Sequence, residues 1–470
     1  RARTRARTAM AHTRALSARH RAATPVAAPR RAAPRRSAPR AATKRFTAKR
    51  AQAEAEAEPV PASDRYYGNW LALPIQPGDQ RITTRTELVK GRMWGLEQTQ
   101  GVLNVLVNVR MTVVKLADGG LLCWCPVAPT RECVRLVEEL GEVKYVVLPT
   151  TALEHKVFLG PFARKFPDCE VYIAPGQYSV PLDLPFQWLG LGAKRVDGVL
   201  GECELPFADE FEGPEILSLS LGTGTFCEVA MVHKSTKTLL IVDSVVQCPA
   251  EPPEVCRVDP SPLLARAKAD GREPDREPTP AVLREGWAKT ALFGLFFQPV
   301  SVEYKPSPAA VVDIDKGFTW TERWKSSFAR ISNKVFVAPI LQQVVLNKRP
   351  SAALEWVDRV AAMGFNKVVP AHLQAPIQLS PAQFKAKFAF LRELEAERQA
   401  AKKGGAVDEE RDQGRRRPAF ELPELRLPDF LQQLQGGAGG GNGDFEADDM
   451  QFLKDLDEIT VKSGFVKLEE

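Results

Sequence analysis

Four side chains, Glu154, His155, Asp243 and His372, supply two carboxylates and two imidazoles that could together hold a divalent cation. Each stands past an apolar, β-branched run. Val146-Val147-Leu148 leads through Pro149-Thr150-Thr151-Ala152-Leu153 to Glu154-His155, Thr238–Val242 leads to Asp243, and Lys367-Val368-Val369 leads through Pro370-Ala371 to His372. Short runs of this kind read as buried strands, and α/β folds place their sites just past the carboxyl ends of strands. The chain holds five histidines, and two of them occupy these positions. The donor set suits one divalent metal ion, zinc at about 2.0–2.2 Å or the harder iron or manganese. A cation held there lowers the pKa of bound water and polarises a carbonyl or phosphoryl oxygen of a small-molecule substrate. Four protein ligands saturate a tetrahedral ion, so turnover requires five-coordination or release of a carboxylate. Without a metal the same residues have ordinary roles. Glu154 at a helix start favours the positive end of the helix dipole, His155 donates a hydrogen bond to Asp243, and His372 is a satisfied core histidine.

For these four to meet, the strands ahead of them must end side by side. Val102–Arg110, Thr112–Leu116 and Leu121–Cys125 read as an antiparallel meander around the turn Asp118-Gly119-Gly120. Thr130–Leu140 carries a helical stripe of Val134, Val137 and Leu140, with Thr130 as cap and Gly141 as stop. A strand over Lys144–Leu148, a short helix over Glu154–Lys165 and a strand over Glu170–Ala174 give the rhythm of βαβ units. Glu215–Leu221, Cys227–Val232 and Thr238–Val242 form a second meander, with Lys234–Lys237 as its hairpin turn. An aromatic and Pro-rich helical insertion over 248–330 follows, with a helix around Val282–Phe297 and a stretch, Phe318–Phe328, in which Trp320 and Trp324 stand at helical spacing. Ser351–Met363 reads as an amphipathic helix with a Ser cap, Asn366–Pro370 as the last strand and Phe384–Gln399 as a charged helix. His233 is expected at the surface or a strand edge. Eight cysteines in 470 residues are no disulfide scaffold. Cys123 and Cys125 read as sharing one strand face opposite Trp124, and Cys248 and Cys256 as flanking a Pro-rich loop, where a redox pair is conceivable.

The net charge of +6 belongs to one end of the chain. Residues 1–50 hold 16 Lys and Arg and no acid, and taking those 16 from +6 leaves the remainder at −10. Basic charge interleaved with aromatics would point to nucleic acid; this stretch is Arg, Ala, Ser, Thr and Pro instead. Acid-free composition of that type matches an organelle transit peptide, here plastid, over residues 1–55. Met10 is the expected start and the Lys49–Ala53 region the expected cleavage site. Residues 56–92 read as a linker and N-terminal extension, 93–400 as the folded domain, and 401–470 as a flexible tail with a short helix at 445–459. No run reaches the roughly 18 apolar residues a spanning helix needs. The expectation is no nucleic acid and no transmembrane segment, with peripheral membrane contact and a protein partner at the insertion or tail as the interactions open to the chain.

Taken in order, Glu154-His155, Asp243 and His372 resemble the metallo-β-lactamase superfamily, whose signature is H-x-H-x-D-H after a strand, then a His, an Asp and a His at later strand ends. The resemblance implies an α/β fold, an αββα sandwich with metal between the sheet edges. It sets Glu154 in the Asp place, His155 in the last His place of the first motif, Asp243 in the bridging Asp place and His372 in the final His place. Thr150, Ala152 and the region near Thr223 stand where the family has the imidazoles of its first metal. The resemblance therefore implies a site that has lost one ion and kept the ligand set of the other. A narrower resemblance, to a cyanobacterial and plastid family known only as a domain of unknown function, rests on Ala152–Lys156, Gly160–Ala163, Ala174–Gln177, Gly286-Trp287, Ala338–Gln342 and Pro370–Leu373. It runs from about Trp94 to Glu393 and brings no activity with it. Two functions stay open: a plastid metal-dependent hydrolase, and a non-catalytic descendant that acts as a binding or structural partner at the stroma or thylakoid surface.

Overall fold

The computed structural model describes residues 60–68, 75–77, 80–102, 105–177, 196–221, 224–305, 308, 314–404, 445 and 448–462. The leader over 1–55 and residues 405–444 of the tail lie outside them. Along the chain the strands are Ile75–Gln76 (β1), Thr84–Val89 (β2), Met93–Val102 (β3), Val105–Lys115 (β4), Leu121–Trp124 (β5), Val143–Leu148 (β6), Glu170–Ile173 (β7) and Gly198–Val199 (β8). They continue with Phe211–Ser220 (β9), Thr225–His233 (β10), Thr238–Leu240 (β11), Val245–Gln247 (β12), Val302–Tyr304 (β13), Phe318–Trp320 (β14), Val335–Val337 (β15), Lys367–Val369 (β16) and Ile377–Gln378 (β17). The first eight form one sheet, in the order β1-β3-β4-β5-β6-β7-β8 with β2 beside β3, antiparallel to β5 and parallel after it. A second sheet has the order β17-β16-β11-β10-β9, with only β11 and β16 parallel.

Strand alternation assigns the side chains to three cores. Val147, Trp124 and Tyr172 of the first sheet face Cys227, Val229, Met231, Leu240 and Val369 of the second, so the two sheets pack face to face. Cys123, Val146 and Leu148 point the other way, onto Cys133 and Val137 of helix Arg131–Glu138 and onto Leu159 and Phe162. Ala230, Val232, Leu239 and Val368 likewise turn outward, against Trp287 and Phe296 of helix Pro280–Phe296 and Trp356 and Val360 of helix Pro350–Ala362. The layers are helix, sheet, sheet, helix: the αββα sandwich expected from the sequence. The two fully buried tryptophans on the outer side also satisfy their indole N–H groups, Trp287 on Pro249 O at 2.8 Å and Trp356 on Glu215 O at 3.1 Å.

Several expected elements are redrawn. In place of two strands over Val102–Arg110 and Thr112–Leu116 there is one, β4 (Val105–Lys115), because Arg110 is buried and paired to Glu97 and so does not mark a loop, while Val102 ends β3. Cys123 and Cys125 lie in different cores; Cys125 has φ 57, which ends the strand's alternation and turns its thiol into the inter-sheet core with Trp124. Cys248 and Cys256 are buried free thiols, not a disulfide. The helix over Glu154–Lys165 is two short ones, Leu153–Lys156 and Leu159–Ala163. Trp320 ends β14 and Trp324 opens helix Trp324–Ile331, so their spacing is not helical. Helix Pro350–Ala362 starts on a proline at its first turn and not on a Ser cap, whereas Ser380 builds a capping box with Gln383 and starts helix Pro381–Ala386 ahead of Ala389–Gly404. The tail helix runs Gln451–Lys462, later than 445–459, and Phe445, Met450, Phe452 and Leu453 are buried in the outer core.

Candidate metal centre

The parallel register of β11 and β16 sets two of the four donors. Leu240 is paired with Val369; Asp243 lies three residues past the one and His372 three past the other, so both emerge at the same level. The bonds Ile241 N to Val369 O (3.3 Å) and Ala371 N to Val242 O (3.0 Å) carry that alignment beyond the strands. β6 supplies the other pair from across the sandwich. There the two sheets are stitched together, Val229 N donating to Pro149 O at 2.8 Å and Thr151 N to Cys227 O at 3.2 Å. The chain then turns into helix Leu153–Lys156, which presents Glu154 and the fully buried His155.

The ligand atoms of Glu154, His155, Asp243 and His372 all lie within 4.8 Å of one another, so the structure gathers every one of the four residues singled out from sequence. Three are closer still. His372 Nε2 is 3.0 Å from Asp243 Oδ1, His155 Nε2 is 3.6 Å from the same oxygen, and the two Nε2 atoms are 3.2 Å apart. Donors bound at about 2.0–2.1 Å around a tetrahedral ion stand about 3.3 Å from each other, and these spacings bracket that edge. The donors converge on one point of ionic size.

His372 is oriented by its other nitrogen. Nδ1 donates to the Asn108 carbonyl at 3.1 Å. A carbonyl only accepts, so Nδ1 carries a proton and Nε2 is the nitrogen turned to the cluster. His155 Nδ1 is buried without a partner among the described residues. Burial opposes charge on His155, but hydrogen bonding and attraction to Asp243, then Glu154 and Glu228, outweigh it and raise its pKa. Burial likewise opposes charge on Asp243, and the two histidines overcome it, holding the carboxyl well below the usual range.

Residues that the sequence reading passed over hold the loops. Glu228, fully buried in β10, accepts Val242 N at 3.0 Å, Asp243 N at 3.3 Å, and both Ser244 N at 3.2 Å and Ser244 Oγ at 2.7 Å. Three successive amides on one carboxylate fix the turn that aims Asp243. Burial first, then the Asp243 charge, push the Glu228 carboxyl up to about 7. On the other side, Asn108 Oδ1 accepts Leu373 N and Asn108 Nδ2 donates to Leu373 O, both at 3.1 Å. Arg110 donates to Pro370 O at 2.6 Å and Leu373 O at 2.5 Å while paired to Glu97 across the β3–β4 ribbon. Gln100 Nε2 donates to Glu154 O at 2.5 Å. A signal was present: Asn108, Arg110 and Thr112 alternate along one face of a strand, and Glu228 interrupts an apolar one. Buried polar residues at such places need partners.

His233 is fully buried, not superficial; its Nδ1 meets Thr236 Oγ1 at 2.8 Å, and it stays outside the cluster. The Cys125 thiol is pushed well up by burial and then by Asp243, Glu228 and Glu154, so it stays a neutral neighbour. Of the region expected to hold a middle histidine, Gly222 and Thr223 lie outside the described residues.

Comparison with curated proteins finds no match. Similar solved structures include a metallo-β-lactamase from Pontibacter korlensis, 10% identical, covering 66% of this chain and 99% of its own with a TM-score of 0.28. A metal-soaked Flv1 flavodiiron core from Synechocystis sp. PCC6803 is 9% identical and covers 68% of this chain and 62% of its own, TM-score 0.33. A B3 metallo-β-lactamase with an active-site glutamic acid is 11% identical and covers 73% and 94%, TM-score 0.27. Likeness at this level assigns no ligand or reaction, and the αββα order stands on the sheets and cores above. The family described as Domain of unknown function (DUF4336) matches residues 90–390.

Proposed function

Because the chain belongs to the DUF4336 family, which brings no reaction with it, we propose a function from the site alone: a mononuclear metal-binding, hydrolase-like protein. Glu154, His155, Asp243 and His372 would hold one zinc, iron or manganese ion. When bound, the ion supplies Lewis acidity toward a carbonyl or phosphoryl oxygen of a small-molecule substrate and acidifies water.

The observation that carries this reading is the orientation of His372. With Nδ1–H on the Asn108 carbonyl, its Nε2 faces Asp243 Oδ1 at 3.0 Å and His155 Nε2 at 3.2 Å. An imidazole nitrogen, a carboxylate oxygen and a second imidazole nitrogen held this close share a cation, either a metal ion or a proton. The Asn108 carbonyl and the Glu228-bound turn hold the donors in that arrangement. Such preorganisation is what a metal site needs from its surroundings. Glu154 is the ligand best placed to yield to a substrate, since its helix turn is held by one side-chain bond from Gln100.

A second reading is favoured by His155 Nδ1, which among the described residues lacks the acceptor that metal-bound histidines ordinarily have. Here the cation is a proton, and the four residues form a buried charged cluster in a non-catalytic partner protein. Elemental analysis of the full chain, reconstituted in turn with zinc, iron and manganese, separates the two. One ion per chain, absent in His372→Ala, is expected. No retained ion, with His155→Ala lowering stability by leaving buried Asp243 short of a partner, would establish the proton-bearing cluster instead. The acid-free leader supports a plastid location, in the stroma or peripherally at the thylakoid, and an import assay with isolated chloroplasts checks it. No helix among the described residues is long and apolar enough to cross a membrane.

A further inference from the structure

Helix Leu153–Lys156 presents two of the four donors on a span of 4 residues, too short to hold its shape alone, and no side chain caps its start. Gln100 Nε2, from β3, donates to Glu154 O. Phe158 stands just past the helix, between it and Leu159–Ala163. Phe158 is 4% exposed yet belongs to none of the three cores. Its ring is held from elsewhere. Tyr67 meets it edge-on, with centroids 5.5 Å apart at 83°, and the Arg81 guanidinium carbon lies 4.9 Å over its face.

Both residues belong to the N-terminal extension and precede residue 90, where the family match begins. The extension is itself anchored. Arg65 donates to Glu132 Oε1 at 3.2 Å and Thr83 N to Glu132 Oε2 at 2.8 Å, which ties it to helix Arg131–Glu138. Arg81 N donates to Arg65 O at 2.8 Å, so its two stretches hold each other. Arg81 is 1% exposed, and its guanidinium donates to Pro77 O at 3.0 Å and to Thr99 O at 3.4 Å. Thr99 adjoins Gln100 on β3, so Arg81 touches both the strand that holds Glu154 and the ring that follows His155. Packing alone would be served by an apolar side chain at this position, because a buried guanidinium is costly to desolvate.

We infer that Tyr67 and Arg81 are positioning residues of the metal centre: through Phe158 they fix the helix that presents Glu154 and His155, and the site thereby extends beyond the region the family shares. The inference rests on the metal reading above. Zinc competition against a chelator, with full-length variants, tests it. Tyr67 is half-buried and outside the cores, so Tyr67→Ala leaves the sandwich intact. Tyr67→Ala and Arg81→Met should each bind zinc about 3- to 10-fold more weakly and Phe158→Ala about 10-fold or more, whereas Tyr67→Phe, which keeps the ring, should restore wild-type affinity. The double variant Tyr67→Ala/Phe158→Ala should be no weaker than Phe158→Ala, since Tyr67 acts through that ring. The visible absorption of the cobalt-loaded protein should change in Tyr67→Ala and not in Tyr67→Phe, which a mere loss of stability would not produce. In the metal-free chain, amide exchange across 153–158 should quicken about tenfold in Tyr67→Ala while β5 and β6 keep their protection. Zinc affinity within about twofold of wild type in Tyr67→Ala or Arg81→Met overturns the inference, as do additive losses in the double variant or an unchanged exchange pattern. A wild-type chain that retains no zinc overturns the metal reading and this inference with it; a zinc-bound wild type beside an equally tight Tyr67→Ala overturns this inference alone.

Discussion

Replacing Asn108 with alanine tests whether the loop carrying His372 is held from β4. The side chain makes three buried contacts: Oδ1 with Leu373 N and Nδ2 with Leu373 O, each 3.1 Å, and Nδ2 with Glu97 Oε2 at 3.3 Å. Arg110 also donates to Leu373 O, which remains partly satisfied, and holds Glu97 through its other carboxylate oxygen, Oε1. Leu373 N does not remain satisfied, and an orphaned buried N–H costs about 1–3 kcal/mol. Two further bonds at about 0.5–1 kcal/mol each bring the expected loss to about 2–5 kcal/mol. Leu373 sits at φ 56, a conformation a leucine holds only when its surroundings impose it, so relaxation of the loop returns part of that cost. The same relaxation swings His372 away from Asp243. Metal affinity should therefore fall about 10- to 100-fold, the usual effect of losing a supporting bond behind a ligand. Urea unfolding of the metal-free protein and zinc competition against a chelator measure the two effects separately. Unchanged stability together with zinc affinity within about twofold of wild type would refute the clamp.

Glu228→Gln keeps the volume but turns an amide toward the turn amides, and should weaken zinc binding about tenfold in the same competition assay while leaving one site per chain. Of the eight thiols Cys203 alone is exposed, so a thiol reagent should titrate one fast group in the native protein and eight in denaturant; two fast groups would place a second cysteine at the surface. Burial pushes the Lys156 amine down to about 8 against the pull of Glu154. The unfolded chain then binds the extra proton between about 8 and 10.5, so stability rises with pH across that window; Lys156→Met should lose this slope, and parallel unfolding profiles at pH 7.5 and 9.5 would exclude it. Truncation after Gly404 removes Phe445, Met450, Phe452 and Leu453 from the outer core and the partner of buried Lys348, and should lower the thermal midpoint by at least about 3 °C.

What could be read from the sequence follows from how strands and turns encode themselves. Thr238–Leu240 and Lys367–Val369 announce themselves as uninterrupted apolar runs, because both faces of a central strand are covered, and a polar residue just past such a run stands out. Asp243, His372 and the Glu154-His155 pair were visible for that reason, and so was the αββα order. Their support was not. Asn108, Arg110 and Glu228 are charged or polar residues inside strands, where a single sequence reads them as breaks or solvent-facing positions. Only their burial and their buried partners show that they face inward. The same blindness split β4 at Arg110 and sent His233 to the surface.

The division between ligands and supports has a physical consequence. Each donor-bearing loop is fixed by a group on a different strand: Asp243 by Glu228 of β10, His372 by Asn108 and Arg110 of β4, Glu154 by Gln100 of β3. β10 belongs to the second sheet and β3 and β4 to the first, so the two sheets position the donors jointly. A slip of one sheet over the other would separate His372 from its clamp on β4 and His155 from Asp243 in the same movement. Closure of the sandwich and assembly of the site are thus one event. A cation shared by donors from both sheets favours the closed sandwich by the free energy of its binding.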